Sequence, residues 1–300
     1  MKLALKVDVD TYHGTRRGVP RVAELLAKRG IGATFLFSLG PDHTGRALRR
    51  ALRPGFLDKV RRTSVLEHYG LRTLLYGTLL PGPNIGRKCA AQMRAVRDAG
   101  HEVGIHCWDH VRWQDGVANA DAGWTVREFT LARERFHEVF GVHAGVHGAA
   151  GWQMNVHAFR LLDEIGYGHA SDTRGTHPFL PAWKGECFSC PQLPTTLPTL
   201  DELIGREGLD ATNVAAYVLN LTERGSNHVF TAHAELEGGE LNAVFDALLS
   251  GWRAQGYQLV SLRGLAAGLD VRALPRHEVR YAQVAGRSGT LVVQGEELRP

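Results

Sequence analysis

Several titratable side chains stand where short apolar runs end. Asp8 and Asp10 close the first run, and His106 and His110 follow the run at 101–105. Asp172 follows one near 167–171, and His233 and Glu235 follow 228–232. Two imidazoles four residues apart share a face if the chain turns helical after the strand. With Asp10 from another strand they make a three-ligand set that leaves a position open to water, as catalytic zinc sites do. Water in such a site has a pKa of about 7, so hydroxide becomes available at neutral pH. An HxxxH pair alone is equally a structural feature, because 15 histidines make one such pair expected by chance. The ordered combination on separate strands favours one divalent ion held by Asp10, His106 and His110. Zn, Mn and Co all suit such N/O donors, and spacing does not choose among them.

The elements that must carry these residues alternate. Leu3, Leu5 and Val7 predict a strand, and 20–29 has helical spacing with Val22, Leu25 and Leu26 on one face, ending at Gly30. Strands are expected at 33–37, 101–106, 144–146, before Ser171, at 228–232 and at 258–261. Helices are expected at 92–99, 126–140, 156–165, 212–224 and 241–255. Such alternation argues a parallel sheet with helical crossovers. The sheet can close into a barrel or stay open and doubly wound, but aspartates follow the first strand where a dinucleotide fold has a glycine-rich loop. In barrels the chemistry sits at the carboxyl ends of the strands, where these titratable groups fall. One domain is expected over 1–270 and a polar, irregular tail over 271–300.

Composition narrows the function. The chain has 300 residues, is 44% apolar and carries a formal net charge of +4, a mild excess that does not call for nucleic acid. The start, MKLALKVDVD, lacks the long apolar stretch of a signal peptide, and no run reaches the roughly 18 apolar residues of a spanning helix. A cytoplasmic location is therefore expected. There Cys187 and Cys190 are expected to be reduced thiols, because no second CxxC or paired His follows at zinc-site spacing.

Asp8-Val-Asp10, Gly-His-Glu-Val-Gly-Ile-His106-Cys-Trp-Asp-His110 and a late strand ending in His233 together resemble the polysaccharide deacetylase (NodB-type) family over roughly residues 1–265. The resemblance implies a distorted (β/α)7 barrel of the α/β class, here with a helical insertion near 41–88. By position it implies that Asp10, His106 and His110 bind the metal. Asp8 would take a proton from water, and His233 would protonate the departing amine. Longer segments, 8–16, 149–152, 170–175, 191–199 and 233–238, are similar to a branch of the family that removes formate from 4-deoxy-4-formamido-L-arabinose carried on undecaprenyl phosphate. In that branch the aminoarabinose product modifies lipid A and gives polymyxin resistance. The chain departs from the family pattern in two places. Val9 separates the two aspartates, and His147-Gly-Ala-Ala-Gly-Trp152 replaces the Arg-x-Pro motif whose arginine orients the base. Arg174 is the expected substitute. Tyr12, His13, Arg16, Trp152, Asp172 and Glu235 are expected near the substrate, with Glu235 also a candidate partner of His233.

Between Arg46 and Arg62 lie seven basic residues and one acid, with Leu48, Ala51, Leu52, Phe56 and Val60 at helical spacing. A basic amphipathic segment can lie on an anionic membrane, and it can equally pack on the barrel with a solvated basic face. The resemblance to a lipid-substrate enzyme favours contact of Arg46, Arg49, Arg50, Arg53, Phe56, Arg61 and Arg62 with the cytoplasmic face of the inner membrane. Two other readings fit the same residues. One is an N-deacetylase of another amino sugar or of a peptidoglycan- or chitin-like polymer. The other is a catalytically dead, membrane-associated binding protein, against which the complete set of Asp8, Asp10, His106, His110 and His233 argues.

Overall fold

A computed structural model describes residues 1–47 and 73–298. Seven strands form one parallel sheet: β1 (Lys2–Val9), β2 (Thr34–Ser38), β3 (Glu102–Cys107), β4 (Val146–His147), β5 (His169–Ala170), β8 (His228–His233) and β9 (Gln258–Val260). The intervening β6 (Leu180–Trp183) and β7 (Glu186–Cys187) join a second sheet with β10 (Arg276–Gln283) and β11 (Thr290–Glu297). The parallel sheet runs β5-β4-β3-β2-β1-β8, with β9 also paired to β1. The irregular segment 191–199 spans the gap between its two edges. Leu193 N–H donates to Ala170 O (2.7 Å), and Thr196 N–H donates to Val229 O (3.1 Å). The sheet is thereby curled into the distorted barrel that the sequence resemblance implies.

β1 explains how polar chemistry enters an apolar fold. Leu3, Leu5, Val7 and Val9 face outward into the main core, with Val22 and Leu26 of the helix Val19–Lys28 and Phe245, Leu248 and Trp252 of the helix Asn242–Ala254. The opposite parity, Lys6 and Asp8 with Asp10 just beyond the strand, faces the barrel interior. The whole strand after Lys2 is buried, as a parallel strand covered on both faces must be. The helix Ala122–Phe140 starts where the Asp121 side chain accepts from Trp124 N–H (2.7 Å) and stops at Gly141, whose φ of 72° favours glycine.

The expected elements are present with shifts of a few residues at their ends. The expected tail is different. Residues 276–297 form a hairpin, β10–β11, whose β10 lies parallel to β6. His277 and Val279 alternate with Arg276, Glu278 and Arg280, so the strand buries one face and shows little hydrophobicity overall. Val279 and Val292 reach a second core with Trp113, Phe129 and Phe159. Of the insertion, Arg49, Arg50, Arg53, Phe56, Arg61 and Arg62 lie outside the described residues. Arg46 donates its Nε to Gly77 O (3.0 Å), and Leu79 is 81% exposed. Cys187 is exposed, Cys190 is buried, and both are free thiols.

Candidate active site

The site is assembled by ends of elements. Asp10 follows β1, His106 lies near the end of β3, and His110 opens the helix His110–Gly116. That helix is capped by Asp109, whose side chain accepts from Arg112 N–H (3.1 Å) and fixes the turn that brings His110 back over His106. Asp10 Oδ1 lies 3.2 Å from His106 Nε2 and 3.4 Å from His110 Nε2. One donor atom from each of the three lies within 4.8 Å of the others. His106 Nδ1 is 2.6 Å from Gly148 O, so it carries the proton and turns the Nε2 lone pair toward Asp10. Asp10 Oδ1 is buried without a hydrogen-bond donor. An orphaned carboxylate oxygen facing two imidazole nitrogens fits a divalent cation. The side chains of Asp10 (12%) and His110 (19%) keep some exposure, which leaves an approach for water or substrate.

The same groups also act on one another electrostatically. Burial alone would raise the Asp10 carboxyl, but His110 and His106 overcome it and hold the group far below the carboxylate range. Burial would lower His106, yet Asp8 and Asp10 raise it.

The holder of Gly148 is layered. Asp172 is fully buried and accepts from His147 Nδ1 (2.7 Å), Ala149 N–H (2.8 Å) and Gln192 Nε2 (3.0 Å). It thus fixes the turn that presents Gly148 O to His106 and does not face substrate. A Cβ at Gly148 would lie 2.2 Å from Leu36 Cδ1, so a larger residue there would force the buried Leu36 side chain to move.

Asp8 sits beside both the triad and His233. In the register of β1 with β8, Asp8 pairs with His233. The cation against Asp8 is Lys6, 3.3 Å from Oδ2 and fully buried, with its Nζ also donating to Ser171 O (2.9 Å). Arg174 was expected there, but it pairs with Glu202 (2.5 Å) and donates to Leu197 O (3.0 Å). Lys6 was legible in principle: it is two residues before Asp8 on a strand, hence on the same face, and it interrupts an apolar run.

Other expected contacts are redistributed. Glu235 Oε1 accepts from Asp10 N–H (3.1 Å), Thr11 N–H (2.9 Å) and Thr11 Oγ1 (2.8 Å), so it holds the Asp10 turn and not His233. Burial and the nearby Asp10 push its carboxyl well above the usual range. Glu237 accepts the backbone N–H of His233 (2.8 Å). Trp152 is 1% exposed and cannot stack on a sugar. Tyr12 packs on the main core and donates its N–H to Asp42 (2.9 Å). His13 lines a cavity of about 220 Å³ with Arg17, Arg21, Glu235 and Glu240, and Arg16 lies on the surface.

Glu237 gives a pH test of stability. Burial raises its carboxyl from 4.5 to about 8. The folded state thus holds this proton more tightly than the unfolded chain. Its stability contribution is full below about 4.5 and is lost as pH rises toward 8. Glu237→Gln is expected to gain stability relative to wild type between pH 5 and 8, read as urea midpoints; a gap that does not widen with pH would contradict it.

A carboxylate and two imidazoles at the carboxyl rim of a curled parallel barrel, with a second carboxylate and a third imidazole beside them, define a hydrolase of the polysaccharide deacetylase class. The fold has a solved counterpart in a Mycobacterium smegmatis protein described as a polysaccharide deacetylase (TM-score 0.64, 17% identity, 94% of each chain). No family model matches the chain. A protein of Shewanella sediminis (strain HAW-EB3), described as the 4-deoxy-4-formamido-L-arabinose-phosphoundecaprenol deformylase ArnD, is 35% identical over 97% of this chain and 93% of its own. One of Wigglesworthia glossinidia brevipalpis with the same description is 29% identical over 94% and 98%. The chain belongs to the ArnD deformylase family.

Proposed function

We propose that the chain hydrolyses the formamide of 4-deoxy-4-formamido-L-arabinose phosphoundecaprenol, releasing formate and the lipid-linked amino sugar that is used to modify lipid A in polymyxin resistance. The observation that carries this is the joint presence of near-full-length ArnD likeness and the Asp10–His106–His110 cluster flanked by Asp8 and His233. A divalent ion held by Asp10, His106 and His110 would polarise the formyl oxygen and acidify a water. Asp8, anchored by Lys6, takes the proton as the water oxygen bonds to the formyl carbon. His233 delivers a proton to the sugar nitrogen, the C–N bond breaks, and formate and the amine depart. Both proton carriers lie at adjoining strand ends, so neither must travel.

The test is release of formate against acetate from matched formamido and acetamido sugars on the same lipid carrier. Formate release well above acetate release is expected; the reverse would identify an N-deacetylase instead.

We further propose that the enzyme works at the inner membrane's cytoplasmic face through the basic segment 46–62. Its composition supports this, since each Lys or Arg near an anionic surface contributes about 1 kcal/mol. No helix among the described residues is long and apolar enough to cross a membrane. Co-sedimentation with anionic vesicles that is lost at high salt is expected; no binding would reject the proposal.

A further inference from the structure

The hairpin β10–β11 reaches the segment 199–202 that lies behind His233. The loop between its strands carries Arg287, whose side chain is only 11% exposed. Its Nε donates to Glu202 Oε1 (2.7 Å), and its two Nη atoms each lie 3.3 Å from an oxygen of Asp201. It also donates to Thr199 Oγ1 (3.1 Å) and stacks 4.6 Å from the Trp152 ring centroid. The loop approaches closely because Gly286 (φ 85°) has no Cβ; one there would lie 2.4 Å from Glu202 O. Asp201 Oδ1 in turn lies 3.9 Å from His233 Nδ1, a buried nitrogen with no hydrogen-bond partner. Trp152 stands edge-on to the same ring, 6.4 Å away.

We propose that Arg287 is a positioning residue for His233, acting through Asp201 and Trp152, so that the C-terminal hairpin is part of the catalytic apparatus. The fork of its guanidinium grips both oxygens of Asp201, as a carboxylate clamp does. That grip sets how far the carboxylate stands from Nδ1 and places one positive charge between Asp201 and Glu202. Arg174 cannot replace it, because its own guanidinium is taken by Glu202 and Leu197 O. This rests on the reading of His233 as the proton donor.

The test measures formate release and bound metal for wild type, Arg287→Met, Arg287→Lys, Asp201→Asn and His233→Ala, with Arg280→Ala, exposed on the same hairpin, as a control. Arg287→Met is expected to lower kcat by roughly 10- to 100-fold, the usual cost of losing a supporting partner. KM and metal content should stay near wild type, and Arg287→Lys should recover part of the loss. A merely structural arginine would instead reduce the folded fraction and leave kcat per folded molecule unchanged, which overturns the proposal. If Arg287→Met does not fold, Asp201→Asn decides, and wild-type kcat in that variant overturns it. Full turnover in His233→Ala removes the donor assignment and the inference with it. An inactive His233→Ala beside a fully active Arg287→Met removes the inference alone.

Discussion

Asp10→Ala is expected to lose both bound metal and formate release, while remaining folded. Asp10 is the sole carboxylate of the cluster, and its Oδ1 is the atom nearest both imidazole nitrogens. Removing it leaves two neutral ligands, which hold a divalent ion poorly. The loss of an activated water and a polarised carbonyl together removes several kcal/mol of transition-state stabilisation, so turnover should fall by about 10³-fold or more. The fold should survive, because Asp10 lies beyond the end of β1 and its side chain contributes no apolar contact to the core. Elemental analysis and formate release on the same preparation check both halves. Retained metal with lost activity would shift Asp10 from ligand to another role.

Lys6→Met is expected to cut turnover by about 10²- to 10⁴-fold, the range of general-base contributions, while metal remains bound. Lys6 is fully buried and offers its ammonium to Asp8, to Ser171 O and to the face of Trp152 (5.2 Å). Removing one partner of a buried ion pair leaves a bare charge and costs about 3–5 kcal/mol. Asp8 then loses the cation that holds its carboxylate in place, and it fails as a base. Reduced stability with normal metal content and low kcat is the expected signature. Wild-type turnover would show that Asp8 needs no cation beside it.

The strand-end carboxylates and histidines were legible because β1, β3 and β8 are short, apolar and bounded by polar residues at one rim. Periodicity also located the major helices, since each carries a one-sided apolar stripe ended by glycine or a polar cap. What lies behind the site was harder to read. Lys6 sits inside a barrel wall, where lysine is rare, and only the strand's two-residue period marks it as facing Asp8. Glu202 is the far end of a capping box with Thr199, a local signal for a helix start that says nothing of Arg174 or Arg287. Arg287 is more than 80 residues from Glu202 and lies on a hairpin whose alternation is diluted by charge. Trp152 looks like a sugar platform by type, yet three cations enclose it: Lys6, Arg174 and Arg287. Contacts of this kind depend on closure of the whole barrel, and short-range patterns do not carry them.

Asp10, His106 and His110 are expected to hold one catalytic divalent ion. Chelator-treated protein titrated with Zn, Mn or Co tests it most directly. Formate release should be absent at the start and rise to a plateau at a single equivalent of ion per chain, and His106→Ala should neither bind that equivalent nor turn over. Full turnover by metal-free protein would contradict the account.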